Sequence, residues 1–310
     1  TVVVDATFGH RIATKERRMT RAELLAAADE LLAEYMVADV PSERGMCEVW
    51  RKALRDFLAV RASSSLSGKK KSDAIDSPEL TRVCGVVFSK DRAMQLDATL
   101  RSFFACCADA PLVALHVLYA ASDASHKSQY TELARNYPQV KFVPERGFQA
   151  DLVALIEDSS EILFLVDDNL FVQPFTLAAA RAALSAHDSA LGFSLRLGRN
   201  TTYCYPYNKS QQVPPLEQLG AGIMKFRWAG AQLDFAYPLE VSSSLYRTRD
   251  LAPLLTRLSY KNPNALEQKL SEQARHFQQS QPHLLSFEWC GTFCNPLNKV
   301  QSVANNRAGA

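Results

Sequence analysis

The rhythm of apolar and polar positions changes twice along this chain. After an N-terminal stretch without period, Thr20 and Glu23 stand three apart as a capping box. Leu24, Ala28, Leu31, Leu32, Tyr35 and Met36 then follow at intervals that share one helix face. Pro41-Ser42 interrupts the run, and Val49, Trp50, Leu54, Phe57 and Leu58 predict a second amphipathic helix. Two short helices make a hairpin that is marginal alone and has to dock. Over residues 1–62 we therefore expect a helical region that packs on the rest of the chain or offers a partner or oligomer contact through residues 20–60. Ser63-Ser64-Ser65-Leu66-Ser67-Gly68 and Lys69-Lys70-Lys71-Ser72 are polar and charged, which predicts a flexible linker over 63–78.

From Arg82 short apolar runs alternate with helical spacing. Val83-Cys84-Gly85-Val86-Val87-Phe88, residues 113–120, Lys141-Phe142-Val143 and Ile162-Leu163-Phe164-Leu165-Val166 read as strands. Residues 95–104, 124–136 and 148–157 read as the helices between them. Such alternation predicts a parallel, doubly wound α/β sheet with its loops of interest on one edge. Further on, a helix is expected from near Pro174 to Ala186, strands over 191–197, 223–228 and 241–246, and a long loop over 200–222. Asn262-Pro263-Asn264 caps an expected helix over 265–279, and the tail from Cys290 has no period. Residues 79–310 are thus expected to form a second domain.

Composition removes several classes. The chain has 310 residues, a hydrophobic fraction of 47% and a net charge of +2, so any anion site must be local. No apolar run reaches the ~20 residues of a membrane helix. No basic-aromatic stripe suggests nucleic acid. Three lysines are few for an anionic membrane surface. The expected location is cytoplasmic, at most peripheral to a membrane; a lumenal one stays open because the chain begins at Thr1 and could be a fragment. Seven cysteines without framework spacing suggest reduced, buried thiols. There is no nucleophile elbow, phosphate-binding Gly-Lys loop or dinucleotide Gly-rich fingerprint.

The chemistry concentrates where Ile162–Val166 runs into Asp167-Asp168-Asn169. In an open α/β sheet the carboxyl ends of the strands form the edge where ligands bind. Two adjacent acids beside a core repel each other and lose hydration unless a cation or donor meets them. Mg2+ or Mn2+, which takes oxygen ligands and shares phosphate oxygens, is the expected cation.

Val-Val-Phe-Ser-Lys-Asp-Arg (86–92) ending a first strand, Leu-Phe-Leu-Val-Asp-Asp-Asn (163–169) ending a later one, and a loop-rich second half together resemble the GT-A fold glycosyltransferases, the nucleotide-sugar-dependent enzymes with a DXD signature. The resemblance covers roughly residues 82–245. It implies a Rossmann-like mixed sheet flanked by helices. It also implies transfer of a sugar, from a uridine-linked donor by superfamily tendency, to a hydroxyl on a glycan or other acceptor, as in polysaccharide synthesis. By resemblance, Ser89, Lys90, Asp91 and Arg92 would contact the nucleotide, Asp167 the ribose or metal, and Asp168 with Asn169 the metal. His283, and less so His276, would be a C-terminal metal ligand. Asn169 in place of the third acid adds no charge, which predicts weaker metal binding.

Arg196 and Arg199 could supply a second cation for the diphosphate, or be solvated loop residues. An inverting enzyme needs a carboxylate to take the acceptor proton; Glu240, slightly preferred, and Asp234 are the candidates, each also readable as an ordinary ion-paired acid. Trp228 and Trp289 could stack on a sugar or pack in the core. Two other functions stay open. A nucleotidyltransferase of related fold would carry a glycine-rich signature after the first strand, which Ser89-Lys90-Asp91-Arg92 lacks. A non-catalytic nucleotide- or sugar-binding module is compatible with Asn169.

Overall fold

The computed structural model describes residues 83–294; the hairpin expected over 1–62 and the linker over 63–78 lie outside the described residues. The first apolar run is buried from Val83 to Ser89, as a central parallel strand must be, and forms β1 (Val83–Lys90). β2 (Val113–Ala120) and β4 (Glu161–Val166) flank it in parallel, and β3 (Lys141–Pro144) pairs with β2, also in parallel. The helices α1 (Ala93–Cys106), α2 (Ala124–Asn136) and α3 (Phe148–Ile156) connect them. The α/β class expected from the alternation is what the chain adopts.

Beyond β4 the sheet is mixed rather than wholly parallel. The later strands are β6 (Ala190–Ser194), β9 (Glu217–Gly220), β10 (Ile223–Arg227), β11 (Ser243–Arg247) and β12 (His283–Phe287). They extend the sheet to nine strands in the order β3-β2-β1-β4-β11-β6-β12-β10-β9. β11 lies antiparallel between β4 and β6, whereas β12 runs parallel to β6. The chain enters β11 from a long irregular segment instead of a crossover helix, so nothing forces it to run parallel.

Alternate residues of the strands face two helical layers. Val87, Leu163, Leu165, Phe193, Leu245 and Leu285 pack toward α1, α2 and α4 (Leu177–Ala186). Val86, Phe164, Leu191, Tyr246 and Leu284 pack toward α3, α5 (Thr248–Arg257) and α6 (Pro263–Gln273). Gly192 permits this second layer to close. A Cβ there would stand 2.6 Å from the Tyr246 ring. That ring's hydroxyl donates to the carbonyls of Pro238 and Glu240, both at 2.8 Å.

Several local expectations shift. α4 starts after Thr176, whose hydroxyl accepts the Ala179 N–H, and not at Pro174. The Asn262 cap is present, with its side chain accepting from Ala265 N, but the helix begins at Pro263 and ends in a 3-10 turn, Ala274–Phe277. The expected loop over 200–222 contains the small hairpin β7 (Tyr203–Cys204) with β8 (Lys209–Ser210), and then β9. The tail also has structure: β13 (Thr292–Cys294) pairs antiparallel with β5 (Asn169–Phe171), placing Cys294 opposite Asn169. No helix among the described residues is long and apolar enough to cross a membrane.

Candidate active site

The carboxyl ends of β1, β4, β6 and β12 and the amino end of β11 share one sheet edge. Asp167 is buried there. Its Oδ2 accepts from Ser89 Oγ at 2.9 Å and Lys90 N at 3.3 Å, and Oδ1 accepts from Arg92 Nη1 at 3.1 Å. The same Arg92 nitrogen donates to Asp168 Oδ2 at 3.2 Å. The adjacent acids therefore do meet a cation, and it is one of the chain's own guanidiniums. Burial, opposed by Arg92 and reinforced by Asp168, pushes Asp167 up to about 6; burial raises Asp168 as well, against the same arginine. Tyr130 completes this half: its hydroxyl bonds Ser89 Oγ at 2.6 Å and accepts Arg92 N at 3.1 Å.

Three residues expected in the donor and metal sets do other work. Asp91, in a left-handed conformation (φ 55°), spends both carboxylate oxygens on the amide and hydroxyl of Ser122, at 2.7 and 2.5 Å. It ties the end of β1 to the turn after β2. Asn169 is fully buried, with Oδ1 accepting Val166 N at 2.8 Å and Nδ2 reaching Cys294 Sγ at 3.4 Å. Its amide shapes the turn that presents the two acids. His283 begins β12 beside Ala190, at the opposite edge of the sheet, with Nδ1 against Ser189 Oγ at 3.2 Å. That position separates it from the acid pair by the length of a strand. His276 lies in the 3-10 turn after α6.

The second half of the site is built on Arg196, just past β6. Its Nη1 lies 3.2 Å from Asp234 Oδ1 and its Nε 3.9 Å from Glu240 Oε2. Burial works against its charge, but Glu240 and then Asp234 outweigh it, and the Arg196 pKa is raised. Glu240 is saturated: it accepts the N–H groups of Ser242 and Ser243 at 2.6 and 3.0 Å and the hydroxyls of Ser242 and Ser244. Asp234 Oδ2 accepts from Gln211 Nε2 at 2.9 Å, and Asp234 N donates back to Gln211 Oε1 at 3.1 Å. The Asp234 side chain remains 13% exposed against 4% for Glu240. The sequence preference for Glu240 is thus reversed by its hydrogen bonds, which use up its acceptor capacity. Arg199 turns outward to Glu288 at 3.0 Å, and Lys90 is exposed, its charge opposing the burial that raises Glu145.

The two halves share the sheet edge where β4 and β6 end, and Cys294, paired with Asn169, stands beside the first of them. Burial raises its thiol pKa, with Asp168 and Glu240 adding to the rise and Arg196 opposing it, so all three groups lie within electrostatic reach of one sulfur. Sequence reasoning missed Cys294, Tyr130 and Gln211. Of the two tryptophans, Trp228 is core, donating Nε1–H to Gln281 O at 2.8 Å, whereas Trp289 is 54% exposed after β12, on the site edge.

Comparison with known proteins gives one curated relative. The bifunctional glycosyltransferase pgtA of Dictyostelium discoideum is 26% identical over 250 residues, covering 71% of this chain. The chain is similar to a glycosyltransferase. The match takes in 32% of that relative's own length. No family model matches. Among solved structures, the mannosyltransferase PcManGT from Pyrobaculum calidifontis in complex with GDP-Man and Mn2+ gives a TM-score of 0.41 at 14% identity, over 78% of this chain and 64% of that one. S. aureus TarS 1-349 in complex with UDP gives 0.42 at 14% identity, over 66% and 58%. Both likenesses are distant.

The residues present can be tested against a divalent ion. Asp167 has both oxygens engaged, Asn169 is turned into its own loop, and His283 is at the far edge. No group of three His, Cys, Asp or Glu suited to a metal occurs among the described residues. What remains is Asp168. An Mg2+-type ion in a nucleotide site needs only one or two carboxylates, with phosphate oxygens and water completing its shell. The donor set therefore fits an ion that arrives with a diphosphate.

Proposed function

We propose that residues 79–310 form a glycosyltransferase domain that moves a sugar from a nucleoside-diphosphate donor, uridine-linked, to a hydroxyl of a glycan or other acceptor. The observation that carries this reading is the meeting of two charge clusters at one sheet edge. One is Asp167 and Asp168 with Arg92, the other Asp234 and Glu240 with Arg196. The similarity to a curated glycosyltransferase supports it.

Breaking the sugar–phosphate bond builds negative charge on the departing diphosphate. Lys90, Arg92 and Arg196 stand at the edge where that charge appears. Because Arg196 is already oriented by Asp234 and Glu240, it needs little reorganisation during transfer. Ser89 and Tyr130 fix Asp167, whose Oδ1 would accept from a ribose hydroxyl in place of Arg92. When bound, Mn2+ or Mg2+ would be held by Asp168 and would neutralise phosphate charge as a Lewis acid. On the acceptor side, Asp234 takes the proton of the attacking hydroxyl in an inverting transfer, while Glu240 positions Arg196.

The test is a thermal-shift series with UDP, GDP and CDP, each with and without Mn2+. A diphosphate at a hundred times its Kd stabilises the folded state by about 2.7 kcal/mol. For a domain of this size that is a rise of roughly 5–10 °C. The expected outcome is such a rise with one diphosphate, UDP, increased by Mn2+, followed by turnover of the matching nucleotide sugar. No rise with any diphosphate overturns the reading.

A further inference from the structure

The acid pair at the end of β4 already has a counter-ion. A single nitrogen, Arg92 Nη1, bridges Asp167 Oδ1 and Asp168 Oδ2 at 3.1 and 3.2 Å, and the three side chains are 12%, 6% and 14% exposed. In so dry a setting the guanidinium and a divalent ion cannot share the pair without strong mutual repulsion. A guanidinium binds phosphate as readily as carboxylate, through the same planar pattern of donors. Arg92 also stands on the turn between β1 and α1, at the ligand-binding edge.

We propose that Arg92 is a placeholder cation: in the nucleotide-free protein it holds the Asp167–Asp168 pair closed to divalent ions, and an arriving nucleoside diphosphate draws it onto the phosphates and so opens Asp168 to the metal. Donor and metal then bind in a fixed order, diphosphate before or together with the ion and never the ion alone. The displacement half rests on the donor reading above; the blocking half rests only on the three side chains.

The experiment is a titration of the full chain with MnCl2 alone, followed by the electron paramagnetic resonance signal of free Mn2+, for the wild type, Arg92→Met, Arg92→Lys and Arg92→Met/Asp168→Asn. Arg92→Met is expected to bind Mn2+ at least tenfold more tightly than the wild type, and the double variant to return to wild-type weakness. Arg92→Met leaves two buried acids facing each other and could fail to fold. Arg92→Lys keeps the charge but addresses one acid at a time, and is expected to bind Mn2+ about threefold more tightly than the wild type. Wild-type Mn2+ affinity in every folded single variant overturns the blocking role.

This titration contains no nucleotide, so its outcome is independent of whether the donor reading survives. Repeating it with saturating UDP tests the displacement half. The gap between wild type and variants should close, and a gap that stays open overturns it.

Discussion

Glu240→Gln separates a structural acid from a catalytic one. The substitution keeps the shape of the side chain but replaces one acceptor oxygen by an NH2 group. With that NH2 at the Oε2 position, it would face the N–H groups of Ser242 and Ser243, which approach the carboxylate at 2.6 and 3.0 Å. Two buried donors opposed in this way cost about 1–3 kcal/mol each. The other orientation is cheaper, because the Ser244 hydroxyl can rotate to accept. Even so, three charge-assisted hydrogen bonds, from Ser242 N, Ser242 Oγ and Ser243 N, become neutral ones, at about 1 kcal/mol apiece. Arg196 also loses a negative partner 3.9 Å away. That attraction is about 4 kcal/mol at an effective dielectric of 20, much of it offset by the restored cost of desolvating Glu240. We therefore expect a loss of about 2–4 kcal/mol. In a urea melt with a slope near 3 kcal/mol per M, the midpoint falls by about 1 M. Residual transfer below the transition should exceed that of Asp234→Asn. A Glu240→Gln protein within about 0.5 kcal/mol of wild type that nevertheless transfers no sugar would refute this reasoning and make Glu240 the base.

Asp234→Asn should lower transfer by at least about a hundredfold, the scale of a lost general base, while leaving the diphosphate thermal shift unchanged; loss of that shift would place Asp234 in donor binding instead. Asp168→Ala should abolish transfer with an unaltered far-ultraviolet circular dichroism spectrum, and an active variant would remove the metal reading. Glu267 accepts Val241 N at 3.0 Å, and burial raises its pKa, with Glu240 adding to the rise. Since its folded pKa lies above the ordinary glutamate value of 4.5, the folded state keeps the proton longer than the unfolded one. Its contribution is thus fully present below pH 4.5 and is lost as pH rises through the folded value. Glu267→Gln should flatten melting temperature against pH above 4.5, and an unchanged slope would show that the group is not perturbed.

The cluster of Asp167, Asp168 and Arg92 was legible because its residues are local to strand ends. An apolar run followed by two acids reads as a buried strand ending at a sheet edge, and Ser89 to Arg92 follow the neighbouring strand by the same logic. The cluster around Arg196 was legible only as residue types. Glu240 and Asp234 were both visible, but their ranking depended on Ser242, Ser243, Ser244 and Gln211, whose hydrogen bonds no periodicity encodes. His283 looked available because sequence does not say which end of β12 faces the ligand; pairing with Ala190 puts it at the wrong one. Asn169 looked like a ligand because a turn-forming amide and a coordinating amide are the same residue. Cys294 lay in a tail without period, and only its pairing with Asn169 brings it to the site. No element was expected over 248–257, where Pro253 sits inside α5.

Charge at the edge explains why a cation should accompany the donor. In the two clusters four carboxylates, Asp167, Asp168, Asp234 and Glu240, face two guanidiniums, Arg92 and Arg196, and Glu267 adds negative charge near the second. Burial raises Asp167, Asp168 and Glu267, and in Asp167 and Glu267 a neighbouring carboxylate adds to the rise. A diphosphate brings further negative charge to this edge. Moving Arg92 from the acids to the phosphates merely shifts the deficit back onto Asp167 and Asp168. An added cation from solution relieves both at once, and Asp168 is the acid left with capacity to hold it. The benefit of Mn2+ to UDP binding should therefore depend on Asp168: in Asp168→Asn the thermal shift with UDP should be the same with and without the metal. If Mn2+ still raises it, the ion is held elsewhere and the charge argument fails.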